Sequence, residues 1–275
     1  MQDNYSTDST NSGMNEISEP ELTHSDKMTG VFSEPGITFS KIAKFPPKTI
    51  DWFLPMLILI LLVAVTQILV MSNEEIAFQV RKQAEERIDK SFDEAVEKGQ
   101  MTREEADQQK ERVLEQMEMG RGAVGMIIQT VSILVFGFIF FFILSGIYFF
   151  FAKVVFKAEG SYASAMVAAG LPAYITMIQV VVAAILALLM GRLISDTSIA
   201  SFIDADKSTF TGWLLGKLDP VSIWVYSVVA IGLAKMFHSD STAKYFYVVF
   251  GVWILGSLLL FVISKAVPFL SFLAG

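Results

Sequence analysis

Long uncharged apolar stretches alternate with polar ones along this chain. Five of them, 52–72, 122–152, 160–191, 220–234 and 245–264, contain no Asp, Glu, Lys, Arg or His. An α-helix rises about 1.5 Å per residue, so about 20 apolar residues cross a hydrocarbon core of about 30 Å. The first three stretches reach that length unaided. Backbone polar groups must be paired internally in lipid, so each stretch is predicted to be a helix. The fourth is short. It is expected to span if Asp219 and Lys235 sit at opposite interfaces, with Lys235 snorkelling. Its pairing with the fifth through His238-Ser239-Asp240-Ser241 favours five spans over four. The predicted fold is all-α: a polytopic membrane protein of five transmembrane helices with an inserted extramembrane helical hairpin.

The polar stretches divide the rest. Residues 1–30 carry few large apolar side chains and are expected to be a disordered polar tail. Residues 31–48 interleave Phe32, Ile37, Phe39, Ile42 and Phe45 with Lys41, Lys44 and Lys48. That pattern predicts an amphipathic juxtamembrane segment lying on the membrane surface, stopped by Pro46-Pro47. Each such lysine adds about 1 kcal/mol of attraction to an anionic leaflet. The first transmembrane helix occupies 49–72, with Trp52 at its interface end and Pro55 in its first turn.

Residues 73–121 are rich in Glu, Lys, Arg and Gln. Ile76, Val80, Ala84, Ile88, Phe92 and Val96 recur every four residues, a slowly drifting helical stripe. Gly99 breaks it, and Thr102-Arg103-Glu104-Glu105 then has capping-box spacing. A second helix follows to about Met119, with Ala106, Val113, Leu114 and Met117 as its apolar positions. This hairpin is free to pair with itself, with the membrane surface or with a copy on another subunit; a solvated αα-hairpin is the simplest account. The remainder, 122–275, is predicted to be a four-helix transmembrane region with an interfacial connector at 195–218. Its 160–191 span is rich in small residues, which let helices approach closely in lipid, and Pro172 should kink it.

Composition narrows the function classes. The formal net charge is −7, with much of the acid in 73–121, so no basic surface for nucleic acid is visible. Cysteine is absent, which removes disulfides, thiolate metal sites and cysteine nucleophiles together. The N-terminus carries no signal-peptide pattern, so the first span is expected to act as an uncleaved signal-anchor. Lysines in the short segments set the orientation. Lys41, Lys44 and Lys48, then Lys153 and Lys157, then Lys235 and Lys244 fall on one side of a five-span chain. The N-terminus is therefore expected to be cytoplasmic and the C-terminus outside.

Little in the sequence suggests bond-making chemistry. The two histidines, His24 and His238, have no partner at ligand spacing, so no metal site or cofactor is expected. Nucleotide-binding, zinc-hydrolase and serine-hydrolase motifs do not occur. The neighbouring carboxylates of 73–121 diverge on a helix and read as a solvated face. Polar side chains within the spans, among them Gln67, Gln129, Thr130 and Gln179, serve as helix glue at about 0.6 kcal/mol each. The alternative is a polar path through Gln129 and Gln179, next to the bend at Pro172.

The two ends of the chain carry a resemblance. Residues 218–263 include Asp219, Pro220, Trp224, Ile231, Gly232 and Leu233; residues 31–47 include Glu34, Pro35, Gly36 and Phe39. Together they resemble the Yip family (Ypt-interacting-protein domain) of polytopic membrane proteins, in its bacterial branch. Asp51 and Pro55 loosely echo an Asp and a Pro of eukaryotic members. The resemblance runs from Val31 to Ile263, with 73–121 as an insertion. It implies five spans, a cytosolic N-terminus, residence in the bacterial cytoplasmic (inner) membrane and no catalysis. It also implies a role through membrane-protein partners, self-association or the lipid bilayer; eukaryotic relatives bind small GTPases. The residues themselves have packing readings: Asp219 as N-cap with Pro220 behind it, Trp224 as interface anchor, Gly232 as a close contact. The alternative function is a small permease or an accessory subunit of a membrane exporter.

Overall fold

The computed structural model describes residues 20–120 and 122–266. Among these the chain is helical, and four helices are long and apolar enough to cross a membrane: Ile50–Met71, Val124–Val155, Tyr162–Met190 and Ala243–Lys265. Two helices joined at a bend of 61°, Phe210–Gly216 and Pro220–Met236, pass the same length and hydropathy test together and make a fifth crossing if they count as one broken span.

The chain opens with α1 (His24–Ser33) and α2 (Pro35–Ile42). Thr23 and Asp26 form a capping box that starts α1. Structure thus begins inside the stretch expected to be a disordered tail; residues 1–19 of that stretch lie outside the described residues. The physical reason is a partner the local sequence does not show: Lys27 is buried against Asp51, and Val31 is fully buried. Glu34 and Pro35 join the helices, with Pro35 at the first position of α2, where its missing N–H costs nothing.

The α1–α2 pair differs from the expected surface-lying segment. Phe39 and Ile42 turn into the core and pack on the penultimate helix, while Ile37 stays exposed. Burial of those side chains in the bundle removes more apolar surface from water than lying on a bilayer would.

The first span, α3 (Ile50–Met71), holds Pro55 beyond its first turn, leaving the Asp51 carbonyl without its helical donor. The charged hairpin that follows is α4 (Glu74–Glu97) and α5 (Arg103–Met119), broken at Gly99 with φ +67°. The Thr102–Glu105 capping box is present. Ile76, Ala95 and Ala106 are buried, and Arg103–Asp93 and Lys110–Asp89 ion pairs tie the two helices. Ile76 and Val80 dock α4 against Ala183, Ala184 and Ala187.

The second span is α6 (Ala123–Phe150), ending in a π-helical turn, Phe151–Val155. The third breaks at Leu171-Pro172 into α7 (Tyr162–Gly170) and α8 (Ala173–Met190), at the proline that predicted a kink. A side chain at Gly170 would meet the Trp52 backbone, Cα at 2.8 Å, so this glycine sets how closely α7 approaches α3. The connector contains α9 (Ile199–Phe202) and α10 (Phe210–Gly216). Then come α11 (Pro220–Met236) and α12 (Ala243–Ala266), packed side by side.

Candidate functional site

Two buried carboxylates organise the polar interior. The first is Asp51 in the first turn of α3, 1% exposed. Its Oδ2 lies 2.6 Å from Lys27 Nζ, and Lys27 is itself 3% exposed. His24 Nδ1 is 3.2 Å from Asp51 Oδ1, and His24 Nε2 is 2.7 Å from the Tyr174 hydroxyl on α8. Glu21 extends the network outward, with Lys27 at 3.3 Å and Lys48 at 2.6 Å. Lys48, and then Lys27, hold the Glu21 carboxyl below its ordinary range against the opposing effect of burial. The network clamps α1 to the ends of α3 and α8. His24, partnerless by sequence spacing, thus has partners 27 and 150 residues away.

The second carboxylate is Asp219, 2% exposed. As N-cap of α11, its Oδ1 accepts from the Val221 and Ser222 backbone N–H groups at 3.1 and 3.4 Å. The Thr197 hydroxyl donates to Oδ1 at 2.6 Å, and the Ser222 hydroxyl to Oδ2 at 2.8 Å. The Gln179 amide of α8 donates to Oδ2 as well. Every partner is a neutral donor.

The sequence predicts Asp219 at an interface end of the penultimate span; the structure instead buries it at the bend between α10 and α11, and counted with α10 that apolar segment is longer than the uncharged stretch alone. Gln179 lies near the middle of the Tyr162–Met190 span, so the carboxylate is level with the body of the bundle. The uncharged stretches hide this because Asp219 precedes the stretch it serves.

The other sequence candidates separate into groups. Phe39 and Gly232 meet: a side chain at Gly232 would lie 2.9 Å from the Phe39 ring. Trp224 stands edge-on to Phe32, with ring centroids 5.9 Å apart. The leader and the penultimate helix thus form one packed unit through the residues that carry the resemblance. Glu34 is exposed, and Pro35 and Gly36 are half-buried at the α1–α2 joint. Gln129 and Gln179 are not brought together. Gln129 is exposed on α6, which packs on α3 and α7, whereas Gln179 is bound into the Asp219 node.

A third carboxylate, Asp196, stiffens the connector. Its Oδ1 accepts from the Ser198 and Ser201 hydroxyls, each at 2.6 Å, and Lys207 Nζ is 2.6 Å from Oδ2. Burial alone would raise its pKa, but Lys207, Ser198 and Ser201 outweigh burial and bring it to about 2. Arg192 donates to the Ser201 and Phe202 carbonyls and pairs with Asp204.

Chemically, these nodes are ties. Each carboxylate oxygen is engaged by donors of this chain, from distant elements at Asp51 and Asp219 and from within the connector at Asp196. Two surface hollows lie over the α4–α5 hairpin, one lined by Asp107, Lys110, Glu111 and Leu114, and neither adjoins a node. Among the described residues, no three His, Asp or Glu side chains are placed to share a metal ion.

No curated protein and no solved structure matches the chain. The sequence model of the Yip1 domain matches residues 29–263, which takes in the second half of α1, all of α2 and the Asp219–Gly232 helix that they pack on. The chain is a membrane protein of the Yip1 domain family.

Proposed function

We propose that this protein works without catalysis, through other membrane proteins, through copies of itself or by organising the bilayer. The supporting observation is how its polar groups are used. Interior carboxylates and amides are spent on holding helices together, as at Asp51 and Asp219. The outer faces of the spans are apolar along their length, from Val124, Ile127 and Ile128 to Phe140 and Ile143 on α6. What projects from them is a charged two-helix arm, α4–α5. Such a molecule offers surfaces rather than a reaction centre. Crosslinking in native membranes followed by pulldown tests this. A defined neighbour or a self-adduct is expected, and recovery of only unpartnered monomer counts against the reading.

The cytoplasmic N-terminus, the outside C-terminus and residence in a bacterial inner membrane belong to the same proposal. Support comes from the lysines that share one end of the bundle. Phe39 of α2 sits on Gly232, the Phe237 ring covers Gly160, and Lys244 lies 4.9 Å from the Phe156 ring. Lys41, Lys153, Lys157, Lys235 and Lys244 therefore gather at that end, as the positive-inside rule requires of a cytoplasmic face. A reporter fused to the C-terminus should be active only outside the cell.

A small permease or an exporter subunit is the second reading, favoured by one observation: the penultimate crossing is broken at a buried carboxylate. Discontinuous helices accompany transport sites in other membrane proteins. Any such route runs past Asp219, not through Gln129 and Gln179 as a pair. Reconstituted flux that Gln179→Leu abolishes and Gln129→Leu spares is the expected signature.

A further inference from the structure

The connector between α8 and α11 is built as a closed unit. Its two ends meet at one neck, where the Thr197 hydroxyl donates to Asp219 and the Ile199 N–H donates to the Leu218 carbonyl at 3.1 Å. Inside the neck it is cross-braced by Lys207–Asp196, and Arg192, just past the end of α8, ties α9 to that end through the Ser201 and Phe202 carbonyls. Compact loops with joined ends move or stay as one piece. Its hold on the rest of the bundle is narrower. Phe210 and Trp213 of α10 stack near Phe261 of α12, and Lys217 lies 5.8 Å from the Trp253 ring. This seat is unsaturated, because the buried Trp213 indole N–H has no hydrogen-bond partner among the described residues. The Gln179 amide of α8 reaches into the neck, donating to Asp219 and, at 3.3 and 3.4 Å, to the Thr197 and Ser222 hydroxyls.

We propose that residues 195–218 form a lid on one flank of the bundle, and that the Asp219 carboxylate is its latch. Asp219 accepts from the lid (Thr197), the fixed wall (Gln179) and the helix beyond the bend (Ser222) at once, and these bonds are shorter than the 3.3 and 3.4 Å ones that Gln179 makes to the Thr197 and Ser222 hydroxyls. Releasing it lets α9 and α10 swing about the bend of 61° and uncovers the polar line of Gln179 and Ser222 on α8 and α11. Five donors on two oxygens leave the carboxylate no lone pair for a cation, so the node is a fastening and not an ion site. Bonds to a buried charged group are among the strongest a side chain makes, and loss of one leaves the others short of an acceptor. The lid stands independently of whether the protein acts through partners, since crosslinking partners and lid accessibility are separate readouts.

The chain has no cysteine, so single cysteines report without background. Ala200 in the lid is 1% exposed and Ala168 in α7 is 0% exposed. In the full chain in nanodiscs, Ala200→Cys and Ala168→Cys are each labelled with a water-soluble maleimide, alone and combined with Asp219→Asn, Gln179→Leu or Thr197→Val. The latch requires Ala200→Cys to react at least about tenfold faster with Asp219→Asn, and less so with Thr197→Val, while Ala168→Cys stays protected. Should Asp219→Asn expose both thiols, the mild Thr197→Val decides: faster labelling at position 200 alone supports the latch, and no change overturns it. Protection of position 200 in all three variants also overturns it.

Discussion

Asp51 and Asp219 are both buried carboxylates at the start of a helix, and they are neutralised in opposite ways. Asp51 is met by a full positive charge, the buried Lys27, with His24 at its side. Asp219 is met by dipoles alone: one amide, two hydroxyls and two backbone N–H groups. A charge paired with a charge fixes one contact and fails badly if either partner is lost. A charge shared among dipoles gathers several elements at one point and weakens by steps as donors are removed. The first solution pins the N-terminal hairpin to the bundle; the second closes the connector.

The largest expected effect breaks the ion pair. Lys27→Met leaves Asp51 buried without its cation and should cost about 3–5 kcal/mol. Thermal unfolding in detergent measures it, and adding Asp51→Leu should recover most of the loss. If the double variant is as unstable as the single, charge compensation is not what Lys27 supplies. Next is the apolar seat of the same hairpin. Gly232→Val drives a side chain into the Phe39 ring and should cost about 1–3 kcal/mol. Limited proteolysis should then cut first in the 43–49 loop that joins the hairpin to α3.

Asp196 gives an intermediate case, a half-buried carboxylate with both a lysine and hydroxyls. Its pKa in the folded protein, about 2, lies below the unfolded value near 3.8. Its contribution is therefore complete above about pH 4 and is lost as the pH falls through 2. Allowing for solvent screening, about 1 kcal/mol is at stake. Hydrogen exchange in 195–218 should rise over that window, and Lys207→Met should shrink the rise. The smallest effect is expected at the rim of the first node. Lys48→Ala removes the Glu21 contact, but Lys48 is 52% exposed, and a change under about 0.5 kcal/mol in unfolding is expected. A loss as large as that of Lys27→Met would erase the distinction between interior and surface charge on which the comparison rests.

Local signals in this sequence were read accurately where the physics is local. The Thr102–Glu105 box, the Gly99 break, Asp219 as N-cap and the Pro172 interruption each depend on residues within four positions of one another. Short-range hydrogen bonding and steric exclusion fix them whatever surrounds them. Gly232 was legible as a close contact, but not that Phe39 fills it. His24 and Lys27 look like ordinary polar residues of a tail, because nothing within reach in the sequence marks Asp51 as their partner. Gln179 reads as helix glue, which it is, though its partner is a carboxylate 40 positions away and not another span's amide.

By itself the sequence determined that this chain crosses a membrane in helices, where several of them start or break, and which family it resembles. These follow from lengths of uncharged chain and from backbone groups that lipid cannot satisfy. Tertiary structure alone decided which polar groups leave water and in whose company. Burial of a charge becomes tolerable only when donors from distant segments converge on it, and convergence is a property of packed helices, not of neighbouring letters.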